Sequence, residues 1–429
     1  MTTFVPEPHL LDSPRHRAWP RYPAPPKEPW PDRPPDRADV VIVGAGPAAI
    51  AVASALWHVG VHDVVLLDRD GRLAGRFFDR IDGLDQRVLR SPYEHHPGVE
   101  GYRDCELRDF ARLHWSVLTP VERREIRMSQ AGHRSVVPVD VFEHYCHHVA
   151  VQHGILQKVW RGEVRAVSPG PDEVTVRTDD SEITARFVVL CLGEERRGAP
   201  AGWWAGARPD HVRHWDEPVT GTPAVEAVIG AGLTSAHLVA GALDRGTLVH
   251  WVVRGEAERY QCSDVNASFF RAEGRARFDG VPWTERLALM ARQRRASVMF
   301  EFRPVLTDAE ERGQLVVHRG AEVSTVDPPV TLSSGAAIAA DRVRLALGTV
   351  PSIGAGLLPD EVVAAVDGWP DLDERTLAFR SAPRVFTAGA AACLVLGPAA
   401  RNIDGHRVAT ARIATTIGAR LREGATAYV

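Results

Sequence analysis

Two short glycine-rich runs carry the residues best placed to do chemistry. The first, Gly44-Ala45-Gly46-Pro47-Ala48-Ala49, follows the apolar run Asp39-Val40-Val41-Ile42-Val43 and leads into a helical stretch from Ala48 to about Val59. A GxGxxA turn between a buried strand and a helix gathers backbone amides and the positive end of a helix dipole at one point, which suits a pyrophosphate. Gly44 permits the tight turn, Gly46 lets the backbone approach the phosphates, and Ala49 is small enough for the helix to pack on the sheet. Asp68 closes the next strand, Val64-Val65-Leu66-Leu67, where a carboxylate accepts hydrogen bonds from ribose hydroxyls. The second run is Gly230-Ala231-Gly232-Leu233-Thr234-Ser235, after Ala227-Val228-Ile229, with Ser235 where the first copy has Ala49. Its next strand, Leu248–Val253, ends at Arg254, and the spacing from Gly230 to Arg254 equals that from Gly44 to Asp68. A carboxylate at this position favours a free ribose 2′-hydroxyl, and a guanidinium favours a 2′-phosphate. The first site is therefore expected to hold FAD and the second NADPH.

The elements that must position these turns can be read around them. Two βαβ units are expected, one starting at Asp39 and one near Val225, giving an α/β fold with two Rossmann-like dinucleotide-binding domains. The FAD-binding domain is expected to be discontinuous, at residues 37–220 and 341–429, with the NADPH-binding domain at 221–340 between its parts. Residues 72–138 read as a polar, Arg-rich insertion, irregular apart from helices near 106–115 and 120–130. A helix is expected over 139–153, strands over 158–168, 173–178 and 183–192, a strand-rich stretch over 314–347, and a last helix from about Asp404 to Arg422. Residues 1–36 are proline-rich (Pro20, Pro23, Pro25, Pro26, Pro29, Pro31, Pro34, Pro35) and show no period. They are expected as an extended, loosely held arm, with Trp19 and Trp30 as the residues able to dock it.

Composition closes off several classes. At 45% hydrophobic and 25% charged, the 429 residues can fill two or three real cores. A net charge of −4 with interspersed signs gives no electrostatic footprint for nucleic acid or an anionic membrane. Neither a signal peptide nor a run of about twenty uncharged apolar residues is found, so no membrane span is expected. Five cysteines (Cys105, Cys146, Cys191, Cys262, Cys393), with no CxxC, fit a reducing cytoplasm rather than a disulfide framework or a zinc site. His95, His96, His144, His147 and His148 include an i, i+4 pair, His144 and His148. They lack an acidic or thiol partner set, so no metal is expected. Oligomeric state is open, and a homo-oligomer fits as well as a monomer.

From Asp39 to Arg422 the order of features resembles the class B flavoprotein monooxygenases, which include Baeyer–Villiger, flavin-containing and N-hydroxylating enzymes. Val188-Val189-Leu190-Cys191-Leu192-Gly193 looks like the family's strand crossing between domains, and Leu345-Ala346-Leu347-Gly348, followed by Pro351, looks like the return crossing. Val385-Phe386-Thr387-Ala388-Gly389 is similar to the strand and turn that touch the flavin ribityl chain. Many relatives have Asp after that glycine, where this chain has Ala390. The Baeyer–Villiger fingerprint reads FxGxxxHxxxW followed by P or D. Here Trp204-Ala205-Gly206, His211 and Trp215-Asp216 match its HxxxWD half, with Trp for Phe and one extra residue before His211. That leaves two readings for His211: a catalytic residue, or packing of a linker.

Substrate calls for cations. Asp264-Val265-Asn266-Ala267-Ser268-Phe269-Phe270-Arg271-Ala272-Glu273 is similar to a DxSxFxNE segment of ornithine and lysine N-hydroxylases, with Arg271 or Ala272 near the substrate-binding Asn. An arginine facing the substrate favours an extra carboxylate, so the resemblance implies an acidic amino acid, aspartate taken to N-hydroxyaspartate or nitrosuccinate. Arg76, Arg80, Arg87 and Arg90 lie in the insertion, and Arg90-Ser91-Pro92 sits where relatives pass the flavin ring. The mechanism implied is that of the family: NADPH reduces FAD, O2 adds to the ring as a C4a-hydroperoxide, and an uncharged amine attacks the distal oxygen. Baeyer–Villiger or sulfur oxidation is a second reading. A flavoprotein reductase without oxygen transfer is a third, although no cysteine pair stands near the flavin segment to support disulfide reduction.

Overall fold

The computed structural model describes residues 7–20, 33–99, 106–265, 267–363 and 368–426. The fold is α/β, built on two mainly parallel sheets. Arg37–Val43 pairs in parallel with Val64–Asp68 on one side and Glu182–Leu190 on the other. Val40, Val41 and Ile42 are fully buried, as a strand covered on both faces requires. Val159–Arg161 extends this sheet beyond Val64–Asp68, and Ala382–Thr387 extends it beyond Glu182–Leu190. The antiparallel strands Val164–Pro169 and Val174–Thr178 join it through Glu182–Leu190. The crossover helix Pro47–His58 is rich in alanine, and this lets it lie against the long C-terminal helix Ile403–Thr426.

The second sheet has five parallel strands in the order Val212–His214, Arg342–Leu345, Val225–Ile229, Leu248–Val253, Leu315–Arg319. Helices Leu233–Asp244 and Phe302–Glu311 pack together on it. Along the chain, the strands of the second sheet lie between strands of the first. Val212–His214 and Arg342–Leu345 belong to the second sheet, not to the outer parts of the first unit at 37–220 and 341–429. The chain crosses between units at Glu194–Arg196 and Thr349–Pro351, which pair antiparallel with each other. A three-residue strand such as Val212–His214 is too short to show a period, so the expected boundary slid to the next long apolar run.

The insertion contains the helices Leu107–Leu113 and Pro120–Gln130, the latter opened by a capping box between Thr119 and Glu122. It also contains Gly75–Gly83, a helix where irregular chain was expected. Residues 7–20 correct the loosely held arm. Pro8–Asp12 forms a 3-10 turn that buries Leu10 in the core of the second unit. Arg15 then bonds Asp82 at 2.8 Å and Glu143 at 2.5 Å. Arg17 bridges Glu122 at 2.7 Å and Asp140 at 2.5 Å, and Trp19 stacks on His144 and Phe110. Burial pushes the Glu122 carboxyl up, but Arg17 and the Thr119 amide outweigh it and hold it below its ordinary range. Polar partners at matched positions, invisible to a periodicity argument, dock this stretch. Trp30, Pro23, Pro25, Pro26, Pro29, Pro31, Cys105 and Asn266 lie outside the described residues. Among those described, no helix is long and apolar enough to cross a membrane.

Candidate active site

A cavity of about 810 Å³ opens along the carboxyl ends of the first sheet, where α/β sheets bind ligands. The first glycine turn forms its floor. Gly44 has φ +101° and donates its amide to the Leu67 carbonyl at 2.7 Å. A Cβ on it would stand 2.5 Å from the Cys191 carbonyl oxygen, so no other residue fits. Gly46 caps Pro47–His58 with no side chain over the helix end, and a Cβ added to it would meet nothing within 4 Å. Its open face thus leaves the first amides of the helix free for an anion. Ala49 is fully buried behind the turn. Asp68 lines the cavity at the end of Val64–Asp68, its Oδ1 accepting the Asp70 amide at 3.0 Å. Gly193 and Gly389, with φ of +71° and +81°, line the same space.

The second turn repeats this construction. Gly230 has φ +139°, and a Cβ there would stand 2.2 Å from the Ala346 carbonyl oxygen, the counterpart of Cys191 at the return crossing. Gly232 caps Leu233–Asp244 with no side-chain bond, and buried Ser235 donates to the Gly232 carbonyl at 2.7 Å. Thr234, on the first turn of this helix, lines the first unit's cavity together with Trp215. Arg254 follows Leu248–Val253 directly, exposed, with no hydrogen bond or ion pair to the described residues.

The substrate candidates are dispersed. Arg80 lines the cavity, donating to the Glu194 carbonyl at 2.9 Å, with its guanidinium carbon 5.2 Å from the Trp215 ring centroid. Arg76 grips Glu195, and Arg87 grips Asp85. Arg90 is outside the cavity lining. It donates to the Ser297 carbonyl at 2.6 Å and the Ser297 hydroxyl at 3.1 Å, and its buried Nε has no partner. Burial lowers its pKa. Arg271 is exposed at the start of Ala272–Asp279, its side chain without a hydrogen bond or ion pair among the described residues and away from the lining. His211 also stands off the lining, its Nε2 at 3.1 Å from the Val326 carbonyl, a contact that ties the linker to the second unit. Among the described residues no group of His, Cys, Asp or Glu could hold a metal ion. His144 stacks on Trp19, and His148 lies against Phe110.

Several residues at the site carry no signal in the sequence. Asp264, noted there only as part of a segment, accepts from Arg294 at 2.7 Å and from Asn402 at 2.8 Å. Burial pushes its carboxyl up, and Arg294 and Arg90 overcome this and hold it low. Arg401 grips Glu194, which also accepts from the Thr349 hydroxyl, so one ion pair ties both crossings to the C-terminal segment beside the cavity. His406 lines the cavity from the last helix. These contacts join positions far apart in the chain, and no local spacing announces them. The four cysteines described are unpaired, and burial pushes the Cys191 and Cys393 thiols up to about 12.

Residues 41–195, which include the first glycine turn and Asp68, match a family model described as FAD-NAD(P)-binding. Among curated protein sequences none matches the chain. Of solved structures, the reduced ornithine hydroxylase of Pseudomonas aeruginosa is similar at 18% identity and a TM-score of 0.72, covering 90% of this chain and 99% of that one. The ornithine N-hydroxylase of Kutzneria sp. 744 is similar at 18% identity and a TM-score of 0.71, with the same coverage. The bacillithiol disulfide reductase of Bacillus cereus is similar at 17% identity and a TM-score of 0.60, again covering 90% and 99%. Over nine-tenths of its length the chain thus has the two-unit α/β fold of these flavin-dependent hydroxylase structures, opening with a segment that matches the FAD-NAD(P)-binding family model.

Proposed function

We propose that the chain is an FAD- and NADPH-dependent monooxygenase that oxidises the nitrogen of a small amino acid, with aspartate as the leading substrate. The observation that carries this reading is the shared cavity: it is floored by the Gly44 turn and bordered by Thr234 beside the Gly232 turn. Two dinucleotides seated on these turns would bring their reactive rings together. Gly44, Gly46, Asp68, Gly193 and Gly389 would hold FAD, and Gly230, Gly232, Ser235 and Arg254 would hold NADPH. Both sets fit: each turn offers unobstructed helix amides, and the exposed, unengaged Arg254 suits a 2′-phosphate. Bound FAD supplies the redox and oxygen-activating chemistry. The residues of the chain bind, orient and exclude water: Ile81, Leu84 and Trp215 give the cavity apolar walls, and Arg80 stacks on Trp215.

The substrate class rests on two cations outside the cavity lining, Arg90 with its unpartnered Nε and Arg271 at the exposed start of Ala272–Asp279. Both favour a second carboxylate over a side chain that brings its own amine. The ion-paired Arg76 and Arg87 offer less. The described cysteines are unpaired, and Cys146, Cys191 and Cys393 are buried, which weighs against dithiol chemistry of the reductase kind. His211, tied to Val326, weighs against a Baeyer–Villiger role. The test is NADPH oxidation over a panel of amino acids, ketones and thioethers. Aspartate should accelerate it most, and Arg271→Ala should weaken the aspartate response while leaving flavin reduction without substrate unchanged. A response to ornithine, a ketone or a thioether with none to aspartate contradicts the substrate assignment.

A further inference from the structure

His406 is tied into the fold by no side-chain hydrogen bond among the described residues. It lies in the first turn of Ile403–Thr426 and lines the cavity, yet neither ring nitrogen has a hydrogen-bond partner among the described residues, and Nδ1 is buried. Its Nε2 stands 3.7 Å from where a Cβ on Gly389 would be. The adjoining wall, Ala388-Gly389-Ala390, offers no polar side chain. Burial lowers the imidazole pKa to about 4, against the opposing pull of Asp404 and Glu194, so the ring is neutral at physiological pH. A neutral imidazole presents one donor and one acceptor. An unpaired polar group of this kind in a cavity is costly unless a ligand completes it.

The ligand chemistry follows by placement. On the FAD reading, the amides at Gly46 would take the pyrophosphate, and Asp68 the ribose of the adenine half. Between the pyrophosphate and the ring of a flavin dinucleotide lies a chain of hydroxyls, each able to donate and accept. We propose that His406 binds these ribityl hydroxyls, supplying the polar contact that the Ala388-Gly389-Ala390 turn lacks. This rests on the FAD reading above. It makes His406 a positioning residue for the flavin-side half of the cofactor, with no part in the adenine half.

The experiment uses the flavin-loaded protein. On dilution, with free FAD followed by fluorescence, His406→Leu should raise the FAD dissociation constant roughly three- to tenfold, the effect of one neutral hydrogen bond. His406→Asn, which keeps a donor and an acceptor, should hold the wild-type value. ADP, carrying only the adenine half, should compete against FAD with an unchanged inhibition constant in all three proteins. An unchanged FAD constant in His406→Leu overturns the inference, as does a loss of ADP affinity equal to the loss of FAD affinity. A wild-type protein that neither carries nor binds FAD overturns the cofactor reading itself, an outcome distinct from both.

Discussion

Arg254 stands at the end of Leu248–Val253 with its guanidinium exposed and unengaged, while Asp68 occupies the matching place in the first unit. A charged hydrogen bond to a 2′-phosphate is worth about 1.5–3 kcal/mol. Arg254→Ala should therefore raise the KM for NADPH by roughly ten- to hundredfold and leave NADH use nearly unchanged in steady-state assays with each nucleotide. Equal use of both nucleotides by the unmutated protein contradicts this role. Residues of this kind are legible because a repeated motif supplies its own ruler: the same offset carries opposite charges in its two copies. Arg294, Asn402, Arg401 and His406 were not legible. Asp264 and Glu194, the partners of the first three, and the cavity wall at Gly389 beside His406 are brought to them only by tertiary folding. Arg271 shows the converse, since a local likeness singled it out and the fold places it on the surface, away from the cavity lining.

At the scale of the element, the two glycines of the first turn separate folding from binding. Gly44 combines φ +101° with a carbonyl 2.5 Å from any Cβ, and Gly46 has an ordinary φ of −72° and open space. Gly44→Val should abolish cooperative folding, through left-handed strain and a backbone clash together. Gly46→Val should melt cooperatively yet purify colourless, because the branched side chain takes the pyrophosphate's place. Circular dichroism melts and the flavin absorbance of the two variants check this, and stoichiometric flavin in Gly46→Val would mean that the turn does not hold the cofactor. The long or strongly punctuated elements were readable: the strand before each glycine turn, the helix Val139–Gln152, and the last helix. Gly75–Gly83 was not, because nine residues bounded by glycines read as a loop although Phe78 and Ile81 are buried. Sheet membership of Arg342–Leu345 was not readable either, since a strand's sequence does not name its neighbour.

For the molecule as a whole, residues 7–20 tie the two units together. Leu10 sits in the core of the second unit, and Arg15 and Arg17 are held by Asp82 and Glu122 of the insertion that borders the cavity and by Glu143 and Asp140 of the helix Val139–Gln152. Arg17 lies between Glu122 and Asp140, both almost fully buried. Arg17→Ala would leave two buried carboxylates uncompensated, which costs about 3–5 kcal/mol. Urea denaturation should show that loss, and a change within error would mean the segment is bound by apolar contacts alone. With the units so joined, the shared cavity is where the proposed reaction, oxygen transfer from O2 to an amino acid nitrogen at the expense of NADPH, would take place. The most direct measurement is mass spectrometry of aspartate after turnover by the flavin-loaded protein with NADPH and isotopically labelled O2. Labelled oxygen is expected on the aspartate nitrogen, in an amount that tracks the NADPH consumed. NADPH consumption that ends wholly in hydrogen peroxide or a reduced acceptor, with no label on any amino acid nitrogen, would contradict it.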